Sequence, residues 1–133
     1  MFLGSYTPSF NLKSRRIALP KKIRAYLAKN EIVLSYGFEK CIFGFDPEVW
    51  KQESAKRIAE PLTERHSRNI RRFFFSTATI IKLDDQGRFV ISGNFLEYAQ
   101  IKKPIIIGAG DHFEIWEEKL WNTMQKELEG GQD

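Results

Sequence analysis

Leu83-Asp84-Asp85-Gln86-Gly87-Arg88-Phe89-Val90-Ile91 sets the plan of the chain. It reads as a tight turn feeding a buried strand. Gly87 takes a positive φ at no steric cost, and Asp84 can hydrogen-bond forward onto the turn backbone. Phe89, Val90 and Ile91 form a short apolar run of strand-forming residues, and Arg88 places a long cation where turn meets strand. The same plan stands near the N-terminus as Asn11-Leu12-Lys13-Ser14-Arg15-Arg16-Ile17-Ala18-Leu19-Pro20.

Working outward, the pattern alternates short strands and short helices. Ile17 to Leu19 reads as a strand. Pro20 then starts a helix with Ile23, Tyr26 and Leu27 on one face, capped near Asn30. Ile32-Val33-Leu34 and Cys41 to Phe45 read as strands around a turn at Tyr36 to Lys40. Asp46-Pro47 is an N-cap with proline at the first helical position, opening a helix to about Ala59. Pro61 breaks it, and a second helix is expected from Leu62 to about Phe74. Leu62, His66, Ile70 and Phe73 would form its apolar face, with Arg65, Arg68 and Arg72 on another. A strand from Phe75 to Leu83, a short helix with Phe95 and Tyr98, and strands at Ile105 to Ile107 and Phe113 to Trp116 follow. Glu117 would open a last helix ending at Gly130-Gly131.

The two halves overlay. Arg16-Ile17-Ala18-Leu19 lies over Arg88-Phe89-Val90-Ile91, Ile23 and Tyr26 over Phe95 and Tyr98, and Phe45-Asp46 with Trp50 over Trp116-Glu117 with Trp121. Half-chains this small cannot each bury a core, so the copies should pack about a pseudo-two-fold axis and exchange strands. The expected division is a first repeat over 1–60, a connecting basic helix over 61–75 and a second repeat over 76–133, intertwined in one α+β domain.

The chain has 133 residues and a formal net charge of +4, unevenly spread. Lys13, Arg15, Arg16, Lys21, Lys22, Arg24 and Lys29 meet no acid before Glu31, while the stretch from Asp111 onward is mostly acidic. A basic head suggests a polyanion partner. The single Cys41 excludes an intramolecular disulfide and a cysteine zinc site. No apolar run approaches the roughly 20 residues of a membrane span, so a cytoplasmic chain without a membrane partner is expected. Cys41, His66, His112, Asp84 and Asp85 form no metal, phosphate-loop or nucleophile–base spacing. They point away from an enzyme, with no cofactor and no small-molecule substrate.

The chain resembles the MraZ family over essentially its whole length. The opening Met1-Phe2-Leu3-Gly4, the paired turns, the Arg68-to-Ser76 stretch with Phe73-Phe74-Phe75, and Trp50 and Trp121 in the helices carry the resemblance. The family signature is Asp-x-x-x-Arg in each half, commonly with Gly before Arg. Asp84, Gly87 and Arg88 keep it. In the first half Asn11 stands for Asp and Ser14 for Gly. Counting from Asn11 makes Arg15 the motif arginine; counting back from Pro20 makes it Arg16, with Leu12 in the Asp place. The first count is preferred because it keeps Lys13 in the family's basic position.

The resemblance implies an AbrB-like swapped-hairpin β-barrel flanked by helices. It also implies a nucleoid-associated transcriptional repressor, often autoregulatory, of a division and cell-wall gene cluster. A ring-shaped homo-oligomer binding direct-repeat promoter sites on double-stranded DNA belongs to the same picture. A head-to-tail ring repeats its heads by rotation, which suits direct repeats. The expected DNA head is Lys13, Arg15 and Arg16, with Lys21 and Lys22 on phosphates. Arg88 either forms a second head or braces Asp84. The Arg65, Arg68, Arg72 face could touch phosphate or meet acids such as Glu114, Glu117 and Glu118 of a neighbouring subunit, and the interface is the preferred reading. The alternative is an antitoxin-type protein-interaction module on the same fold, without specific DNA readout.

Overall fold

The computed structural model describes residues 1–130 as an α+β fold built on antiparallel sheets. The strands are β1 (Ser5–Tyr6), β2 (Phe10–Asn11), β3 (Arg16–Ala18), β4 (Glu31–Tyr36), β5 (Ile42–Phe45), β6 (Thr79–Lys82), β7 (Arg88–Val90), β8 (Pro104–Gly108) and β9 (Phe113–Glu117). The helices are α1 (Lys21–Arg24), α2 (Pro47–Ala59), α3 (Arg65–Thr77), α4 (Gly93–Tyr98) and α5 (Glu118–Gly130). A six-stranded sheet runs β1-β8-β9-β5-β4-β6, and a three-stranded sheet runs β2-β3-β7. Both sheets are open among the described residues; no barrel closure is seen.

The duplication is written in the strand pairing. In the small sheet β3 and β7 run antiparallel with Ile17 opposite Phe89, Arg16 opposite Val90 and Ala18 opposite Arg88. In the large sheet β5 and β9 pair with Phe43 opposite Glu114. Each is a strand of one half bonded to its own counterpart in the other, which is what a pseudo-two-fold axis between the strands produces. The halves are therefore joined through paired counterpart strands. Phe45 packs on Trp50 with ring centroids 5.3 Å apart, and Trp116 on Trp121 at 5.5 Å.

One shared core joins the halves. Ile17, Leu19, Ile23, Ile32 and Leu34 from the first half pack with Phe89, Ile91, Phe95, Ile106, Phe113 and Ile115 from the second. Burial at this scale is the main stabilising term for so short a chain. Asp46 caps α2 as expected, its carboxylate accepting the Glu48 N–H at 3.1 Å, and it also takes the Ala28 N–H at 2.9 Å.

Three local expectations are corrected. α1 is a single turn that buries only Ile23, so Tyr26 lies beyond it and is exposed. Beyond the helix the Ala28 N–H is bonded to the Asp46 carboxylate. α3 runs on through Phe75 and Ser76, expected as strand, since Phe74 faces the core and its carbonyl accepts the Ala78 N–H. Leu62 and His66, expected on the apolar face of α3, are exposed; Leu62 precedes the helix. Gly130 ends the described part of α5, and Gly131 lies outside the described residues.

Candidate nucleic-acid interface

Alternation along β3 and β7 decides what the small sheet shows to solvent. Ile17 and Phe89 point inward and are buried, so their neighbours Arg16, Ala18, Arg88 and Val90 point outward. Antiparallel pairing sets Arg16 beside Val90 and Arg88 beside Ala18. The two arginines thus occupy diagonal positions on one outward face, each contributed by a different half. Asn11, paired with Arg16, extends the face along β2. Ser9 joins it by accepting the Ala18 N–H at 3.0 Å. Ser9, Asn11, Ser14, Arg16, Ala18 and Arg88 line a shallow polar groove of about 420 Å³ there.

The two turns flanking this face are homologous in position but differ in build. In the second, the Asp84 N–H bonds to the Arg88 carbonyl at 3.0 Å, leaving Asp85, Gln86 and Gly87 in the loop. Gly87 has φ +76°. Three-residue hairpin loops of this kind put their last residue in the left-handed region. The Asp84 carboxylate organises the turn. One oxygen accepts the Arg88 N–H at 2.8 Å and the Gln86 N–H at 2.9 Å, and the other pairs with Arg88 Nε at 2.8 Å. The backbone N–H of Arg88, then its guanidinium, hold the Asp84 carboxyl below its ordinary value. Of the two roles open to Arg88, the brace to Asp84 is present.

The first turn carries one residue more. Asn11 pairs with Arg16 across the strands, leaving Leu12, Lys13, Ser14 and Arg15 in the loop. The Arg15 carbonyl accepts the Ile91 N–H at 2.8 Å, just as the Gly87 carbonyl accepts the Leu19 N–H at 2.9 Å. Arg15 therefore occupies the place of Gly87, and it adopts the same left-handed backbone, φ +59°. This corrects the preferred count. Asn11 is the counterpart of Asp84 and Arg16 that of Arg88, with an extra residue between them. Arg15, not Ser14, stands in the glycine place. Asn11 Oδ1 accepts a single bond from its turn, from the Ser14 N–H at 3.0 Å. Residues 11–16 are all exposed.

Lys21 and Lys22 are exposed on α1, the helix that follows the first turn's strand. Sequence reasoning passed over their neighbour Arg24, counted only as charge. Its Nε donates to the Leu19 carbonyl at 3.2 Å and its Nη1 to the Asp85 carbonyl at 3.4 Å. Its side-chain stem lies so close over Gly87 that a Cβ there would collide with it.

The arginine face of α3 is placed partly in-chain. Arg68 Nη1 donates to the carbonyls of Leu62 at 2.8 Å and Thr63 at 3.1 Å, and Arg72 reaches Asn69. Arg65 and Arg72 are exposed. Arg71, missed from sequence, closes the C-terminus of α2 by donating to the carbonyls of Arg57, Ile58 and Glu60. Glu117 is the second-half copy of Asp46. It receives the N–H groups of Lys102, Lys103 and Lys119 at 3.2, 2.9 and 2.8 Å. Burial works to raise its pKa, but those three bonds outweigh it and hold the carboxyl below its ordinary value.

The residues weighed for an enzyme do not converge on a reaction site. Cys41 is buried, and burial, with Glu114 nearby, pushes its thiol far up, away from a nucleophilic thiolate. His112 sits between Asp111 Oδ1 at 2.7 Å and Glu114 Oε2 at 2.9 Å, stacked on Phe45. No group of acids, histidines and cysteine that could hold a metal ion occurs among the described residues. No helix among them is long and apolar enough to cross a membrane.

Two β-rich halves related by a pseudo-two-fold, each with a turn–strand–short helix unit, define an internally duplicated α+β protein. A family model described as "MraZ protein, putative antitoxin-like" matches twice, over residues 1–73 and 74–131, and the chain belongs to the MraZ family. The two matches meet inside α3.

Proposed function

We propose that this protein is a sequence-specific DNA-binding transcriptional regulator that uses the outer face of the three-stranded sheet and its two turns. The observation that supports this best is the convergence of Arg16 and Arg88, one from each half, on a single outward face. Beside them stand Lys13 and Arg15 on a turn with no acid. An arginine reading guanine O6 and N7 in the major groove contributes about 1–3 kcal/mol of discrimination. Lys13, Lys21 and Lys22 hold phosphates in this reading. It extends to repression of the protein's own division and cell-wall gene cluster, in the cytoplasm at the nucleoid.

A homo-oligomeric ring, with AbrB-like swapped hairpins and direct-repeat sites, completes the proposal. Several weak heads then act together through effective concentration. Arg65 and Arg72, exposed on α3, are the arginines offered to a neighbouring copy, since Arg68 and Glu117 already serve backbone groups in their own chain.

The test is fluorescence anisotropy with the duplex upstream of this protein's own gene, against a scrambled duplex, across a salt series. Preferential binding whose log affinity falls by about 0.9 per phosphate contact for each log unit of salt is expected. Equal, weak binding to both duplexes would refute the reading. The antitoxin-like description of the family favours one second reading, a protein-binding module; tight binding to a protein with little salt dependence would select it.

A further inference from the structure

We propose that Arg24 is the positioning residue of the second turn, holding Gly87 and Arg88 in the shape that reads DNA. This rests on the DNA-binding reading above and adds a residue to it. Arg24 reaches the turn from α1, more than sixty positions away in sequence. Its Nε is bonded to the Leu19 carbonyl, while the Leu19 N–H is bonded to the Gly87 carbonyl at 2.9 Å. Its Nη1 reaches the Asp85 carbonyl inside the loop. The Arg24 side chain, Leu19 and the turn therefore close a ring of hydrogen bonds. The lack of a side chain at Gly87 serves two purposes: it permits φ +76° and it lets the Arg24 stem pass.

The pseudo-symmetry supplies an internal control. The counterpart of Arg24 in the second half is Leu96, whose side chain has no donors, so the first turn lacks the equivalent clamp. The first turn has Arg15 where the stem would need glycine. The same fold thus presents one turn that is tied from beneath and one that is not. A guanidinium fits the task because its rigid fork can serve two carbonyls at once, as Arg24 does, whereas a point charge on a flexible stem would not fix the loop.

The experiment compares R24M and R24K with the parent chain. R24M keeps a stem over Gly87 and loses the donors. R24K keeps the charge but not the fork. Three quantities are read: the affinity ratio between the upstream and scrambled duplexes, the salt slope, and amide hydrogen exchange turn by turn. If Arg24 positions, both variants lose roughly tenfold in the affinity ratio with the salt slope unchanged. Exchange speeds up at Leu19, Gly87 and Arg88 and stays as it was at Ser14 and Arg16. If Arg24 instead touches phosphate, R24K behaves like the parent and R24M lowers the slope by about 0.9, which overturns the inference. Unchanged exchange at Gly87 in either variant overturns it too. A parent chain that does not discriminate between the duplexes would sink the DNA reading itself, and the exchange data would still decide whether Arg24 sets the turn.

Discussion

Replacing Arg15 with glycine sets a gain in stability against a loss in binding. Arg15 holds φ +59°, and an L-residue in the left-handed region carries about 1–2 kcal/mol of steric cost. Glycine removes that cost but loses about 0.5–1 kcal/mol more chain entropy on folding than alanine would. The difference leaves R15G more stable by roughly 0.5–1 kcal/mol, a rise of about 2–4 °C in Tm for a chain of this size. R15A is the necessary companion, because alanine keeps the strain while removing the same cation. Both variants should lose DNA affinity to a similar extent and lower the salt slope by about 0.9 if Arg15 meets a phosphate. Only R15G should gain stability. The assay is a urea titration with linear extrapolation beside the anisotropy series. If R15G is no more stable than R15A, the turn is not strained at Arg15, and the equivalence of Arg15 with Gly87 fails as a physical argument.

Four further outcomes follow from the same geometry. Asp46→Ala removes the cap of α2 and orphans the Ala28 N–H; urea unfolding should show a loss of about 2–3 kcal/mol. Gly44→Ala drives a Cβ into the ring of Phe113 at the strand pair joining the halves, with about 1–3 kcal/mol lost by the same assay. Burial works to lower the His112 pKa and to raise that of Glu114, but their mutual hydrogen bond, with Asp111 also on His112 and Trp116 on Glu114, leaves His112 raised and Glu114 lowered. The histidine's contribution is therefore fully present below its ordinary 6.5 and lost as pH rises through the raised value. The glutamate's is present above its ordinary 4.5 and lost as pH falls through the lowered value. Melting curves of H112Q should lie below those of the parent most at pH 5–6, between the ordinary values of the two groups, and converge with them as pH rises through the histidine's raised value. Finally, removing Lys13, Arg15 and Arg16 together should flatten the salt slope by about 0.9 for each of them that meets a phosphate, while Arg88→Ala should change discrimination between duplexes with little change in slope.

How much of this was legible depended on range. Asp46-Pro47 announced its helix because cap and proline act within one turn of chain. The overlay of Phe45, Asp46 and Trp50 on Trp116, Glu117 and Trp121 was legible because side-chain type repeats with position. The partners of Glu117 were not, since Lys102 and Lys103 come from a different element and offer backbone rather than side chain. Arg68 misled, and Arg71 was missed, for the same reason. A helical arginine stripe looks the same in sequence whether it meets solvent, a partner or the carbonyls of the preceding helix. The register of the first turn was settled only by pairing across strands, Asn11 to Arg16 and Ile17 to Phe89. A local rule had also misdirected it, because left-handed positions favour glycine and the chain places arginine there.

That exception gives the two turns different builds. The second turn follows local preference throughout: an acid bonded to its own backbone, glycine at the left-handed position, and a cation paired with that acid. With Asp84 and Asp85 beside Arg88, it carries more negative than positive charge and gives little general attraction for a polyanion. What it can supply is a guanidinium held in one place, suited to a directional contact with a base edge. The first turn has three cations, no acid and one side-chain bond from Asn11 to its backbone. It can attract phosphate and adapt to it, and its strained Arg15 fits the tendency of unfavourable backbone geometry to sit where function needs it. In the proposed reading, the extra residue, with Asn11 and Arg15 standing where the other turn has Asp84 and Gly87, makes the first turn an electrostatic arm and the second a rigid reader.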